Sequence, residues 1–387
     1  MTYTKLADSK IIDAHSGAET IVDVGIDNGL VNKIGDIPDA RADKIYQIGG
    51  RIVAPSLIDI HTHVYHLGTS LGVDADSLGW NSGVDIFVDA GSAGAGNFLG
   101  FRKHIIEKSK VKIYCFLNIG FGGIPFFGIG NRSQIGEIPD LLVADEERCA
   151  ECISSNLDII VGIKVRLSEK ANGQHDVKPL LIAKKVANKF GLPVMAHFGR
   201  PPPKISDILP HLKKGDILTH SFRPEPNSIL DSSGSHILEL AKEARKRGVW
   251  IDTGHGNGSF SFSVARSAIN DGFLPDIIST DVHQLSVPFP VYDLPTTMSK
   301  LLNLGMPLND VILSVTRNPA MAIGRDSEHG LIEEGRLADL IVFDVENRSI
   351  TVSDTSNQEL TMSRIIRPSI RVKEGEASTI DYVPIQR

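Results

Sequence analysis

The chain lacks most of what would commit it to a membrane, to nucleic acid or to an oxidising compartment. Among its 387 residues no apolar run is long enough to span a bilayer. The start, Met1-Thr-Tyr-Thr-Lys-Leu, has no h-region of a signal peptide, which makes the cytoplasm the expected compartment. There is no basic excess. The formal net charge is −7, which argues against a nucleic-acid-binding surface, and Lys242–Arg247 (KEARKR) reads as the solvated face of a helix. Cysteine is scarce, at three residues. Cys149 and Cys152 form a C-x-x-C, but no second pair completes a structural zinc site and no strand precedes it, so both read as buried helix thiols. There is no P-loop and no G-x-G-x-x-G after a strand. Gly68-Thr-Ser70-Leu-Gly72 matches G-x-S-x-G, but no strand stands directly before Ser70, as a nucleophile elbow requires.

What remains is a soluble enzyme composition, 41% hydrophobic and 22% charged, in a chain too long for one ordinary core. Residues 1–52 alternate in short segments, with Asp27-Asn28-Gly29 as a hairpin signal, and predict a small antiparallel sheet. From residue 53 apolar strands alternate with amphipathic helices. The strands are expected at 53–63, 84–91, 111–120, 159–167, 193–199, 216–222, 249–255 and 276–283. Such units in succession predict an α/β fold, a (β/α)8 TIM barrel over 53–325. Short strands return in 326–387. The expectation is a small β-sandwich built from both termini, 1–52 and 326–387, with the barrel inserted between.

The stretch Val53–His63, VAPSLIDIHTH, organises the rest. Residues i and i+2 of a strand share a face, so His61 and His63 aim at one spot just past the strand's end. Alone, the pair would read as two polar residues at a strand end. In a (β/α)8 barrel, however, chemistry sits at the C-terminal ends of the strands. Those ends also supply Lys164, His197, His220 and Asp281, each in or at the end of an otherwise apolar strand. Four imidazoles and a carboxylate can hold two divalent ions, Zn²⁺ above all. A buried Lys164 is costly when charged. As a neutral amine it can add CO2 and become an anionic carbamate bridge. A water between two ions would ionise near neutral pH, and Asp281 would serve as general base and then general acid.

This set resembles the amidohydrolase superfamily in its binuclear form with a carboxylated lysine. Thr316-Arg-Asn-Pro-Ala320 followed by Gly335-Arg-Leu-Ala-Asp-Leu-Ile-Val matches that superfamily's tail pattern, and the resemblance covers nearly the whole chain. It implies metal ligation by His61, His63, Lys164 as carbamate, His197, His220 and Asp281. It also leaves room for a homo-oligomer. Dihydroorotases usually carry Arg two residues after the second His, where this chain has Tyr65; the deaminases usually lack the strand-4 lysine; D-aminoacylases carry a Cys on strand 2, absent from VDAGSAG. That segment and the run Asp252–Phe262 resemble a group often labelled dihydroorotase or adenine deaminase by analogy. Some of its members hydrolyse acetyl esters or amides of small α-substituted carboxylic acids.

The resemblance thus implies a metal-dependent hydrolase of an amide or ester, and a small-molecule substrate that is a carboxylate. Such a substrate needs a cation for its carboxylate, and Arg166, Arg200 and Arg223 are the candidates. Arg166 shares the face of Lys164. Arg200 and Arg223 each follow a site histidine by three residues. His255, among glycines at the end of the seventh strand, and His283, on the face of Asp281, are further candidates for substrate contact. The Gly-rich stretch Gly120–Arg132 would form an apolar wall or lid. The alternatives are a cyclic-amide hydrolase or an aminohydrolase with the same metals, or a non-catalytic binding barrel, which loss of metal-ligand residues would mark. Here every ligand type is present.

Overall fold

The structure is a computed structural model, and it describes residues 2–13, 17–124, 136–373 and 375–383. Five strands precede His61: β1 Thr4–Ile12, β2 Glu19–Asp27, β3 Leu30–Gly35, β4 Lys44–Gln47 and β5 Ile52–Pro55. The β2–β3 turn is the expected hairpin. Asn28 and Gly29 both take positive φ, 53° and 75°, which matches the twist of the flanking strands.

The strand expected at 53–63 is broken at Ser56. Its first part, β5, pairs with the terminal sheet, and its second part, β6 Leu57–Thr62, opens a separate parallel sheet. That sheet continues through β7 Val84–Gly94, β8 Lys112–Asn118, β9 Ile160–Leu167, β10 Val194–Phe198, β11 Ile217–Thr219 and β12 Trp250–Ile251. The seven pair in chain order. All eleven residues of β7 are buried, as expected of a strand covered on both faces. The covering helices show the matching amphipathic pattern. Lys178–Phe190 has Pro179 in its first turn, ends on Gly191 at φ 67°, and buries Leu180, Ala183, Val186 and Ala187. One extensive core lies between helices and strands, and Ile58, Val88, Phe116, Met195, Ile217 and Ile277 belong to a second, smaller cluster.

The eighth expected strand, 276–283, is not a regular strand. It meets the sheet through two parallel bridges, Asp252 with Ile277 and Thr62 with Val282. Its backbone nevertheless bonds to both sides. Asp281 N donates to His61 O at 2.6 Å and His63 N to Val282 O at 2.9 Å, while His255 N donates to Ser279 O at 3.1 Å. The irregularity has a local cause. Thr280 gives both its amide (3.0 Å) and its hydroxyl (2.5 Å) to the buried Asp59 carboxylate, and Asp281 turns to φ 49°.

The chain ends in β13 Leu340–Ser353, β14 Glu359–Lys373 and β15 Glu376–Thr379. These join β1–β5 in one sheet of eight strands, ordered β15-β14-β13-β5-β1-β2-β3 with β4 beside β1. Both termini therefore build one hydrogen-bonded sheet, the β part that the sequence reading expects from the two ends of the chain. No helix among the described residues is long and apolar enough to cross a membrane.

Candidate active site

The C-terminal ends of the parallel strands gather His61, His63, Lys164, His197, His220 and Asp281 around one cavity of about 350 Å³, which all but His220 line. His61, His63 and Asp281 form a metal-binding group, with ligand atoms all within 4.8 Å of one another. Asp281 Oδ1 is 3.1 Å from His63 Nε2 and 3.4 Å from His61 Nε2, and Asp281 Oδ2 is 4.0 Å from His220 Nε2. The His197 ring lies edge-on to His220, centroids 4.1 Å apart.

Three of the imidazoles are held from behind. His61 Nδ1 pairs with Thr219 Oγ1 at 2.8 Å and His63 Nδ1 with Ser92 Oγ at 2.9 Å. His220 Nδ1 faces the Gly254 carbonyl at 2.5 Å. A carbonyl only accepts, so the proton sits on Nδ1 and Nε2 offers a lone pair. That Nε2 is buried and has no hydrogen-bond partner among the described residues. A buried acceptor left open in this way, beside two other ring nitrogens and a carboxylate, fits a divalent metal ion.

Electrostatics set the same protonation states. Burial first, then the Lys164 charge, holds His61 well below the ordinary imidazole range. Burial and His220 do the same for His197, and burial takes His220 down to about 3 against the pull of Asp281. These rings are neutral, as a metal ligand must be. Burial favours protonation of Asp281, but His61, His63 and His220 outweigh it and hold the carboxyl well below the usual range. Lys164 is wholly buried, with Nζ 2.9 Å from His61 Nε2 and 3.3 Å from Met195 Sδ. Burial, opposed by Asp281, pulls its ammonium down to about 7.

The lysine also needs room. Gly91 lies at φ 85°, and a Cβ there would sit 2.7 Å from both Cβ and Cγ of Lys164. Gly91→Ala therefore combines a disfavoured backbone with overpacking. It is expected to lower stability by about 1–3 kcal/mol and to reduce metal content, measured by thermal unfolding and elemental analysis. A variant as stable and as metal-rich as the parent would show that β7 yields freely at this point.

The substrate-contact candidates separate. Arg166, Arg200, Arg223 and His283 line the cavity. Arg166 is ion-paired with Glu137, and His283 Nδ1 accepts from Leu285 N at 3.2 Å. His255 does not line it, contrary to the sequence expectation. Its ring stacks on Phe260, centroids 4.4 Å apart, and its Nε2 is 2.9 Å from Nζ of the buried Lys300. The strand expected at 249–255 shortens to β12 Trp250–Ile251, so His255 lies beyond its end and its ring is buried in packing. Of the Gly-rich stretch, residues 125–132 lie outside the described residues.

The sequence reading also missed partners. Ser92 sits at the end of β7 and could have been found by the strand-end rule that found the histidines. Thr219 precedes His220 on a strand and carries no such signal. Glu137 belongs to a loop with no periodicity, and Lys170 and Asn257–Ser259, also at the cavity wall, are equally silent in the sequence.

Buried imidazoles and one carboxylate at the ends of parallel strands, open to a cavity, define a metal-dependent hydrolase. The sequence profile of the amidohydrolase family matches residues 52–367. A Brucella anthropi protein named deacetylase is 39% identical over 376 residues, spanning 96% of this chain and 91% of that protein. Deacetylase Atu3266 of Agrobacterium fabrum is 37% identical, spanning 96% and 90%. A solved structure of a dihydroorotase superposes with a TM-score of 0.90 at 36% identity, covering 99% of this chain and 100% of that one. A solved adenine deaminase gives 0.89 at 29% identity, covering 97% and 99%. The chain belongs to the amidohydrolase family.

Proposed function

We propose that the protein is a deacetylase, or a hydrolase of another small acyl group, acting on an amide or ester of an α-substituted carboxylic acid. The observation that carries this reading is the likeness, over nearly full length, to proteins named deacetylase, joined to a cavity that sets guanidinium groups beside the metal-binding group. In this reading 276–283 completes an eight-unit barrel, and the terminal sheet folds as a β-sandwich beside it. His61, His63, His197, His220, Asp281 and Lys164, the last as a carbamate, would hold two divalent ions, Zn²⁺ by the nitrogen-rich donor set. When bound, such ions supply Lewis acidity toward an acyl oxygen and lower the pKa of water.

The chain's own residues do the rest. Lys164 Nζ, buried and near neutral, attacks CO2. An N–C bond forms, a proton is released, and the costly buried amine becomes an anion among metal ligands. Thr219, Ser92 and the Gly254 carbonyl fix the rings so that Nε2 faces inward. Asp281 takes the proton of the attacking water at a carboxylate oxygen and returns it to the leaving nitrogen or oxygen.

A cyclic-amide hydrolase is the second reading, favoured by the solved dihydroorotase. Against it, Tyr65 turns away from the cavity. Its ring stacks on Phe101 at 4.6 Å and its hydroxyl donates to Asn97 O at 3.4 Å, so no cation reaches the site from that position. The test is acetate release from N-acetyl and O-acetyl α-substituted carboxylates, both enantiomers, by zinc-loaded enzyme. Strong turnover of one enantiomeric series is expected. A flat panel from folded, zinc-replete protein, with turnover of cyclic amides, would replace this reading with the second.

A further inference from the structure

Resting on the acyl-hydrolase reading, we infer that Arg223 is the residue that grips the substrate carboxylate, and that this carboxylate lies within a few bonds of the scissile acyl group. Besides Lys164, four basic side chains line the cavity: Arg166, Lys170, Arg200 and Arg223. Arg166 already has an anion in Glu137. Lys170 and Arg200 are exposed, where water screens a charge and weakens an ion pair. Arg223 differs from all three. It is only 7% exposed, yet no carboxylate lies within ion-pair distance of it among the described residues. Residues 125–135, outside that set, contain no Asp or Glu.

Its fixed contacts include no ion pair, and Glu225 acts on it only from beyond ion-pair distance. Nη1 donates to the Phe198 carbonyl at 2.6 Å, and the guanidinium carbon is 5.7 Å from the centre of the Phe198 ring. Nε is buried without a partner among the described residues. Burial, with the Arg200 charge adding to it and the Glu225 charge opposing it, lowers the group to about 10, so it stays cationic at neutral pH. A buried cation at a cavity wall with no carboxylate in ion-pair contact is an expensive arrangement, and a bound anion relieves it.

The backbone sets the reach. Arg223 N donates to His220 O at 3.2 Å, so the guanidinium and a metal-group imidazole stand on one tight turn. A carboxylate held there and an acyl group held at the metal group cannot be far apart in the substrate. The α-substituted acid of the acyl-hydrolase reading has its carboxylate and acyl group that close together.

The test pairs an acetylated α-substituted carboxylate with its uncharged primary carboxamide, and adds an acetylated acid with a longer spacer. Wild type is expected to prefer the α-acid by about 100-fold in kcat/KM over both. Arg223→Met should lose about 100-fold on the acid and only a few-fold on the carboxamide, with Arg223→Lys between. A plain α-hydroxycarboxylate should raise the Tm of wild type and leave that of Arg223→Met unmoved. The ligand-free Tm of Arg223→Met should match or exceed that of wild type, because a buried charge has gone. The inference falls if Arg223→Met keeps the acid preference, or if it loses both substrates equally with a lowered Tm, which marks a structural role. If wild type hydrolyses none of these compounds, the acyl-hydrolase reading fails, and the carboxylate-induced Tm shift alone decides for or against Arg223 as an anion clamp.

Discussion

Asp281→Asn is expected to leave the chain folded and most of its metal bound, and to lower kcat by roughly 10²–10⁴-fold. Asn is the informative replacement. Asp281 sits at φ 49°, a region that Asn and Asp tolerate and Ala does not, so Asn removes the proton acceptor without adding backbone strain. The backbone bond from Asp281 N to His61 O, which ties the eighth segment to β6, does not depend on the side chain. The carboxyl is held well below the usual range, so in the parent enzyme it is available as a base throughout the neutral range. Measuring kcat together with metal content separates the two roles proposed for it. Normal turnover in the Asn variant would remove Asp281 as the general base. Loss of metal in parallel with activity would make it a ligand first.

Lys164→Met should be equally severe for a different reason. The side chain is wholly buried against His61 and Met195, and methionine fills nearly the same space with no charge to desolvate. The fold should therefore persist, and the unfolding temperature of the metal-free protein should not fall. Metal content and kcat/KM should fall together, by more than the roughly 10–100-fold usual for groups that only support a ligand. Carbamylation makes a further demand. Metal-free protein reloaded with zinc should regain activity faster with bicarbonate present, and Lys164→Ala should recover part of its activity with a short carboxylic acid that fills the vacated anionic position. Full metal and full activity in Lys164→Met would end the carbamate reading. A bicarbonate-independent recovery would leave Lys164 a role without CO2.

The alternation of strand and helix and the types of the site residues could be read directly from the chain. A strand sends alternate residues to one face, and a parallel sheet buried on both faces spells itself as apolar runs. A histidine, lysine or aspartate at the end of such a run is therefore conspicuous without any contact map. The same rule places Arg166 beside Lys164. The rule fails wherever the backbone leaves the regular strand. The segment 276–283 does so because Asp59, more than two hundred residues earlier, takes the Thr280 amide that a ladder would have used.

Strand periodicity, then, determined which elements follow one another and which polar residues end their strands, because both are properties of neighbouring residues. The tertiary structure decided what those residues meet. It turned His255 away to Lys300 and Phe260, and it gave Arg166 an anion in Glu137 from a loop with no pattern of its own. It left Arg223 buried without an ion pair among the described residues, on the same turn as His220. Pairing and burial of charge are set by residues distant in the chain, and no local spacing encodes them.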